Sequence, residues 1–426
     1  MQWNTGQQLR REKTLGTRPG SVCGRRSVMS GRIPEGWREC KLGDVAEIVG
    51  GGTPKTNVIE YWNGEIPWIT PRDLSNFNGR FISKGERNIS EKGLINSSAR
   101  ILPKGTILLS TRAPVGYLAI AENQMTTNQG FRSLIPFKNT DNIFLFYLLK
   151  NNVEYLKSQA TGTTFGELSG SVLGSLIFPF PPLPEQHAIA SVIGSLDDKI
   201  DLLNRENQTL EQMAEAIFRQ WFIEEADEEW EEKKLLEVTK IAIGRTPPRE
   251  ESYWFSTDSK DIKWVSIKDL GNSGVFIFNT SEYLTLEAIK TFNIPIIPSN
   301  TILLSFKMTV GRVGITTEPM TSNEAIAHFI FDENTPFSKE YLYFFLKTFK
   351  YDSLGSTSSI VTAINSSMIK DMKIVIPDYI TMNNFRIQTE PLFIKIKNNQ
   401  KQIRTLEKLR DTLLPKLMSG EVRVKL

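Results

Sequence analysis

The chain has 426 residues, of which 40% are hydrophobic and 23% are charged, and its formal net charge is +3. That length accommodates two or three domains with their own cores, and the composition is typical of a soluble globular protein. The sequence contains no run of about 18 apolar residues and no apolar N-terminal segment, so we expect neither a membrane span nor a secretory signal peptide.

Residues 1–30 are polar and lack periodicity, with six Lys or Arg side chains and one acidic side chain. We interpret them as a disordered leader or as an upstream extension of the gene, with Met29 as a plausible true start. A basic arm that contacts DNA is the alternative interpretation.

Two long segments of the chain repeat one another. The run WRECKLGDVAEIVGGGTP begins at Trp37, and WEEKKLLEVTKIAIGRTP begins at Trp230 with a matching order of apolar residues. The strongest match is ILPKGTILLS at Ile101–Ser110 against IIPSNTILLS at Ile296–Ser305. The offset between the copies stays between 192 and 198 residues. A repeat of this size is a duplicated domain, because solenoid repeats are far shorter.

Each copy is predicted to form a small α+β domain, over residues 31–180 and 228–380. Short β-type runs such as IPWIT and TILLS, or IKWVSI and TILLSF, are separated by Gly, Pro and Asn clusters. Such clusters are typical of turns between strands. A helical stretch follows in each copy, then a loop rich in Gly, Ser and Thr, and a final strand-like run.

A long helix is predicted between the two copies, over residues 181–227. Its apolar residues recur at alternating spacings of three and four, which is the a/d pattern of a coiled coil. Pro184 suits the first position of a helix, and Glu185 suits the positive end of the helix dipole. At 1.5 Å per residue the seam spans roughly 50 Å. The seam comprises Ile189, Ile193, Leu196, Ile200, Leu203, Leu210, Ala214, Ile217 and Trp221.

A second long helix is predicted over residues 381–426, with Pro391 at its first position or at a kink and Pro415 at a bend. Its seam matches the first at a constant offset of 196. Residues 181–229 contain 3 basic and 12 acidic side chains, whereas residues 381–426 contain 10 and 4. We therefore predict an antiparallel coiled coil with a pseudo-two-fold relation between the domains. The alternative is that each helix packs on its own domain. The second seam comprises Leu392, Ile396, Ile403, Leu406, Leu413 and Leu417.

The sequence offers little for catalysis. His187 lies in the first turn of a helix, and His328 lies in the apolar run AIAHFIF, where a structural role is expected. Gly50–Pro54 resembles a phosphate loop only superficially, and a tight turn explains it better. We predict no catalytic residue and no metal ligand, because no metal spacing, nucleotide loop or nucleophile elbow occurs. Cys23 and Cys40 could form only one bridge, which favours a reducing, cytoplasmic location.

Basic and hydroxyl side chains in both copies suit nucleic-acid recognition. Arg and Lys contact phosphates and guanine edges, and Ser and Thr contact either. For each one, an ordinary surface or turn residue is the alternative interpretation. Trp62 and Trp68, which recur as Trp254 and Trp264, are more typical of a core than of base stacking. The candidates are Lys55, Arg72, Arg80, Arg87, Arg112, Thr163 and Thr164 in the first copy, and Arg249, Lys263, Lys268, Lys307, Arg312, Ser356, Thr357 and Ser358 in the second.

Four runs and the order domain, helix, domain, helix carry a resemblance to a known family. The runs are GGTPKTNVIEYWNGEIPWITPRDL at Gly51–Leu74, LIFPFPPLPEQHAIASVIGSLDDKI at Leu176–Ile200, AIFRQWF at Ala216–Phe222 and TLLPKLMSGEV at Thr412–Val422. In these the chain resembles the specificity subunits of type I restriction–modification systems. The second copy departs from the pattern in its shortened GRTPPRE run and in an insertion before its second tryptophan.

The resemblance implies two target-recognition domains that each read one half of a split site in double-stranded DNA. It implies two helices that dock two modification (methyltransferase) subunits, and restriction subunits that translocate and cut DNA. S-adenosylmethionine, ATP and magnesium would belong to those partners, so the chain would bind no cofactor and would not be catalytic. Two alternatives stay open. One is a stand-alone nuclease with an unrecognised site, and the other is a protein scaffold without a DNA role, since both repeats are near neutral.

If the two domains read different half-sites, side chains that both copies share cannot explain the difference. Shared positions are therefore expected to be scaffold or phosphate contacts, and base discrimination is expected where the copies diverge. The long helix would set the number of unread base pairs between the half-sites. The shared pairs include Thr53/Thr246, Trp68/Trp264 and Gly116/Gly311. The divergent segments include Asn76–Arg87 against Asn272–Tyr283 and Thr163–Glu167 against Ser356–Ile360.

Overall fold

The computed structural model describes residues 33–161, 166–354 and 364–425. The chain divides into two compact units. The first unit comprises the described residues up to Ser195 together with those from Asp411 onward, and the second comprises Leu196–Arg410. The predicted boundaries left each long helix outside the domains, whereas each long helix contributes residues to both units. The predicted leader, residues 1–30, lies outside the described residues.

The first unit is an α+β domain, as predicted. Its strands are β1 (Arg38–Lys41), β2 (Ala46–Gly50), β3 (Trp62–Ile69), β4 (Phe81–Ile82), β5 (Arg87–Ile89), β6 (Ile107–Thr111), β7 (Val115–Ala121), β8 (Thr126–Thr127), β9 (Arg132–Pro136) and β10 (Ile177–Phe180). Its helices are α1 (Leu42–Val45), α2 (Glu91–Ile95), α3 (Asn142–Asn151), α4 (Val153–Ser158) and α5 (Gly170–Ser175), with a 3-10 turn at Ile59–Tyr61. The main sheet has the order β2-β9-β6-β7-β4, the second sheet has the order β5-β3-β8, and β1 pairs with β10.

The core of the first unit lies between the main sheet and helix α3. Every residue of β6 is buried, as expected for a strand in the middle of a sheet with both faces covered. Helix α3 begins after Asp141, whose carboxylate accepts a hydrogen bond from the Phe144 backbone N–H at 2.7 Å. That bond satisfies one of the free donors at a helix N-terminus. The apolar run from Phe144 to Leu149 is then buried in the core.

The first long helix, α6 (Leu183–Arg219), continues into a π-helical turn at Gln220–Glu224. The prediction of a long helix is confirmed, and Pro184 is its second residue instead of the predicted first. Ile189 and Ile193 are fully buried in the core of the first unit. Ala214 and Phe218, on the C-terminal part of the helix, are buried in the core of the second unit. The ends of this helix are thus held by packing rather than by helix propensity alone.

The second unit has eleven strands and five short helices among its described residues. The strands are β11 (Glu231–Lys234), β12 (Lys240–Ile243), β13 (Phe255–Ser256), β14 (Ile262–Val265), β15 (Phe276–Ile277), β16 (Glu282–Leu284), β17 (Ile302–Ser305), β18 (Val313–Thr316), β19 (Thr321–Ser322), β20 (Ile326–Ile330) and β21 (Lys373–Ile376). The helices are α7 (Leu235–Val238), α8 (Ile267–Asn272), α9 (Leu286–Thr291), α10 (Lys339–Thr348) and α11 (Ser366–Lys370), with 3-10 turns at Ser252–Trp254 and Tyr351–Leu354.

The two units share one topology, which confirms the predicted duplication. The main sheet of the second unit has the order β12-β20-β17-β18-β15, the smaller sheet has the order β13-β16-β14-β19, and β11 pairs with β21. The strand pairing also corrects one equivalence. Trp62 pairs with Ile89 as Phe255 pairs with Leu284, so Phe255 and not Trp254 is the structural equivalent of Trp62. Both tryptophans are nevertheless buried, as expected.

The second long helix, α12 (Tyr379–Ser419), begins well before Pro391. Of the two predicted roles of Pro391, the first helical position is therefore wrong, and the alternative of a proline inside the helix describes the structure. A proline inside a helix removes one backbone hydrogen bond, here to the carbonyl of Ile387. Ile387 is 59% exposed, so water can accept from that position, while Phe385 and Phe393 bury the opposite face. Phe393 lies edge-on to Tyr343 and Phe344, with ring centroids 5.5 and 5.7 Å apart.

Helices α6 and α12 pair in antiparallel fashion within the second unit. Asp197 pairs with Arg410 at 2.8 Å, and Glu206 pairs with Lys395 at 3.3 Å. The partner number on α12 falls as the number on α6 rises, and the acidic helix meets the basic one, as predicted. The apolar contact between them comprises Ile200, Leu203, Ile403 and Leu406.

The other predicted seam residues lie in the domain cores, where residues of both helices belong to the same cluster. Leu196 is half-buried. Leu210, Ile217, Leu392 and Ile396 pack in the second unit, and Ile193, Leu413 and Leu417 pack in the first.

Candidate nucleic-acid interface

The glycine-rich loop at Gly50–Pro54 is built for close backbone approach. A Cβ on Gly51 would lie 1.9 Å from the Asn128 carbonyl oxygen, so only glycine fits. The Trp68 indole N–H donates to the Gly52 carbonyl at 2.9 Å, which fixes the loop to the smaller sheet. The second unit keeps both devices at Gly244 and Trp264. Residues 51–55 form no turn, so close packing of the backbone and not the predicted tight turn accounts for these glycines, and the loop is shared scaffold.

An aspartate organises the next segment in both units. Asp73 accepts hydrogen bonds from the Thr70 backbone N–H at 2.7 Å and from the Glu86 backbone N–H at 2.7 Å. Asp269 does the same with Ser266 and Ser281, at 3.0 Å each. These bonds hold the preceding residue of each unit, Arg72 or Lys268, at the surface. The two candidates are therefore structurally equivalent.

A guanidinium lies over two aromatic rings of the smaller sheet in both units, Trp62 and Trp68 in the first and Phe255 and Trp264 in the second, but a different segment supplies it. In the first unit Arg87 on β5 lies 3.6 Å above the Trp62 ring centroid and pairs across the strands with Trp68. In the second unit the residue paired with Trp264 is Glu282. The cation there is Arg249, which donates to Glu282 at 2.7 Å and lies 4.6 Å from the Trp264 ring centroid. Both units therefore share the aromatic rings of the smaller sheet, but the charged side chains beside these rings differ.

In the second unit a hollow of about 500 Å³ brings three of the predicted residues together. Arg249, Lys268 and Arg312 line it with Trp264, Met308 and Asn323. In the first unit Arg87 lines a separate hollow of about 500 Å³ with Asn63, Lys84, Asn88 and Asn123. Both hollows open beside the smaller sheet, and both offer side-chain donors suited to nucleic-acid acceptors.

The remaining exposed candidates lie on loops. Lys55 follows the glycine-rich loop, and its carbonyl accepts from the Trp62 indole at 3.2 Å. Arg112 lies between β6 and β7, and Lys307 lies at the equivalent hairpin between β17 and β18. Each of these side chains is solvent-exposed. Thr163, Thr164, Ser356, Thr357 and Ser358 lie outside the described residues.

Two predicted candidates are turned inward. Arg80 is only 7% exposed, and it donates to the Tyr147 hydroxyl at 3.0 Å. Lys263 donates to the Phe278 carbonyl at 2.6 Å and pairs with Glu318. Because their charges serve contacts inside the fold, we correct the assignment of both and remove them from the candidate surface.

Met308 is a surface residue that the sequence reasoning missed. It is 92% exposed, has a φ of 60°, and lies at the rim of the hollow of the second unit. A signal was available, because Ser305–Thr309 and its counterpart Ser110–Pro114 differ after their shared first residue.

His328 is buried at the centre of the main sheet of the second unit, where its Nε2 atom lies 2.6 Å from the Ser322 hydroxyl. Burial lowers the pKa of His328 to about 4, because the charged imidazole would lose its hydration. The structural role predicted for this residue is confirmed. Strand pairing places Ser133 at the equivalent position of the first unit.

The described residues offer neither a metal site nor a membrane span. Among the described residues, no group of three His, Cys, Asp or Glu side chains is placed to hold a metal ion. Within the same ranges, no helix combines the length and apolar character needed to cross a bilayer. The duplicated α+β domains, their basic side chains beside an aromatic platform, and the paired helices together are those of a two-domain nucleic-acid-recognition protein.

Comparison with known proteins narrows this class. A family model for the type I restriction modification DNA specificity domain matches residues 34–212 and again residues 227–408. The chain is 39% identical over 422 residues to the type I restriction enzyme MjaIX specificity subunit of Methanocaldococcus jannaschii, covering 93% of this chain and 95% of that protein. It is 25% identical over 471 residues to the HindI specificity subunit of Haemophilus influenzae, covering 91% and 99%. The chain belongs to the specificity-subunit family of type I restriction–modification systems.

A solved structure shows the same fold. The crystal structure of the type I restriction–modification S subunit from M. genitalium matches with a TM-score of 0.55 at 18% identity, covering 93% of this chain and 98% of that chain. The resemblance stated from the sequence runs is therefore confirmed at the level of family and fold.

Proposed function

We propose that this chain gives a type I restriction–modification complex its DNA sequence specificity, with each unit reading one half of a split site. One observation carries the proposal: two units with the same strand order expose different side chains at equivalent positions. Arg87 of the first unit corresponds to Glu282 of the second, and both pair with the same tryptophan position. The first unit thus presents the Arg87 guanidinium and the second presents the Arg249–Glu282 ion pair, and the two offer different hydrogen-bond donors and acceptors to base edges.

The shared features support a division of labour within each unit. The glycine-rich loop, Trp68 and Trp264 serve the scaffold, and the equivalent pair Arg72 and Lys268 is suited to phosphate contacts. Phosphate contacts position a protein on the duplex and carry no sequence information. The divergent positions around the two hollows are then the base-reading ones.

The paired helices are proposed to set the spacer and to dock the partner subunits. Ile380, Ile387 and Ile394 recur every seven residues on α12 and are 70%, 59% and 53% exposed. A regular apolar stripe of this kind supports docking of the two methyltransferase subunits. Restriction subunits would join that core. S-adenosylmethionine, ATP and magnesium are assigned to the partner subunits.

The test is to purify the full chain alone and with its methyltransferase subunit, and to measure selection from randomised DNA at several salt concentrations. We expect weak binding by the chain alone and recognition of a split motif by the complex. Replacing residues 31–180 with the corresponding domain of another specificity subunit should change one half-site only. A change in both half-sites would refute the division. Cleavage or methylation by the isolated chain would instead favour a stand-alone enzyme, and specific assembly without DNA binding would favour a protein scaffold.

A further inference from the structure

The side chain of Arg312 in the second unit is held in place by contacts with the backbone of helix α8. Arg312 directly precedes β18, and its backbone N–H donates to the Ser305 hydroxyl at 3.1 Å. Its Nη1 atom donates to the Ile267 carbonyl at 2.7 Å. A Cβ on Gly271 would lie 2.1 Å from that same Nη1 atom and 2.4 Å from Cζ. The guanidinium therefore lies against the backbone of Gly271, and a side chain at position 271 would displace it from this place.

Arg312 and Gly271 are both replaced at the equivalent positions of the first unit. Tyr117 is the equivalent of Arg312, because its backbone N–H donates to the Ser110 hydroxyl at 2.8 Å just as Arg312 does to Ser305. Gly271 follows the Asp269-Leu270 pair, which recurs in the first unit as Asp73-Leu74, and the residue at the same place there is Ser75. Arginine occurs with glycine in one unit, and tyrosine occurs with serine in the other. A divergent pair that is also structurally coupled indicates a difference in what the two units read.

The guanidinium has donors left for a ligand. Arg312 lines the hollow beside Lys268 and Asn323. Among the described residues neither Arg312 nor Lys268 forms an ion pair with a carboxylate, whereas Arg249 in the same hollow is bound to Glu282. A fixed planar fork is suited to the two acceptors of one base edge, while a flexible ammonium acts as a point charge.

We propose that Arg312 determines specificity in the half-site read by the second unit, by donating to the O6 and N7 acceptors of a guanine. That pairing is the commonest specific contact made by arginine in the major groove. Lys268 contacts a phosphate, because the equivalent residue of the first unit, Arg72, is also basic. A basic residue at this position in both units cannot distinguish the two half-sites. The inference rests on the proposed DNA recognition by the second unit.

The experiment uses the full chain in complex with its methyltransferase subunit and measures selection from DNA randomised in both half-sites. The variants are Arg312→Lys, the paired change Arg312→Tyr with Gly271→Ser, and Lys268→Ala. Arg312→Lys keeps the charge and loses the fork, so we expect the preference for guanine at one position to fall roughly 5- to 150-fold. The half-site read by the first unit should stay unchanged. Lys268→Ala should weaken binding to all sequences alike and lower the salt slope by about 1.

The outcomes separate the inference from the proposed function. Uniform weakening by Arg312→Lys, with a reduced salt slope and unchanged base preference, would identify a phosphate contact and overturn the assignment. An unchanged preference with unchanged affinity would overturn it as well. Retention of the first half-site serves as the folding control, because it requires an assembled complex. A wild-type complex that selects no split motif would instead refute the proposed function.

Discussion

Acidification is expected to destabilise the second unit through His328. The pKa of this buried histidine is lowered from 6.5 to about 4, so the unfolded chain binds a proton at a higher pH than the folded chain does. The histidine's contribution to stability is therefore fully present above pH 6.5 and is lost as the pH falls toward 4. At 1.36 kcal/mol per pKa unit, the loss amounts to about 2 kcal/mol at pH 5 and about 3 kcal/mol at pH 4.

The measurement is the free energy of opening of the slowest amides in β17 and β20, by hydrogen exchange at pH 7 and pH 5. Carboxylates titrate in the same range, so the wild type is compared with His328→Gln, which removes the titrating group. We expect the wild type to lose about 2 kcal/mol more than the variant. The first unit, with Ser133 at the equivalent position, is an internal control. Equal losses in wild type and variant would refute the reasoning.

Three further predictions concern packing and geometry. Phe393→Ala removes a fully buried ring and should lower the unfolding free energy of the second unit by about 3 to 5 kcal/mol. Ile394→Ala on the exposed face should change the same free energy by less than about 0.5 kcal/mol. Similar effects of the two variants in urea unfolding would contradict the assigned faces of the helix. Gly51→Ala places a Cβ 1.9 Å from a carbonyl oxygen, so it should lower the melting temperature and weaken only the half-site of the first unit. Gly50→Ala, where the nearest atom is a flexible arginine terminus at 3.4 Å, is its matched control, and indistinguishable variants would argue against a packing-fixed loop. Inserting four residues near Arg205–Thr209 keeps the apolar seam approximately in phase, so the methylated motif should keep its half-sites and change its spacer; an unchanged spacer would count against the role of the helices.

The elements that depend on local pattern were predictable. The spacing of Ile193, Ile200 and Leu203 predicted a long helix because the 3.6-residue period of a helix is visible in one stretch of sequence. The repeat predicted two domains of one fold. The position of Pro391 inside the second helix was not decided by the sequence, because proline also occurs at the first position of a helix. Its cost is offset by the burial of Phe385 and Phe393, which the proline itself does not reveal.

The candidate DNA-binding residues were also predictable only in part. The sequence by itself determined the family, the duplicated domains, the opposite charges of the long helices and the set of basic residues worth considering. Only the tertiary structure decided which of those residues face the solvent. Arg80 meets a tyrosine 67 residues away, and Arg312 meets a glycine on another element. The physical reason is that hydrophobic periodicity is a local property, whereas the burial of a charge and the equivalence of Arg87 with Glu282 depend on contacts between distant segments.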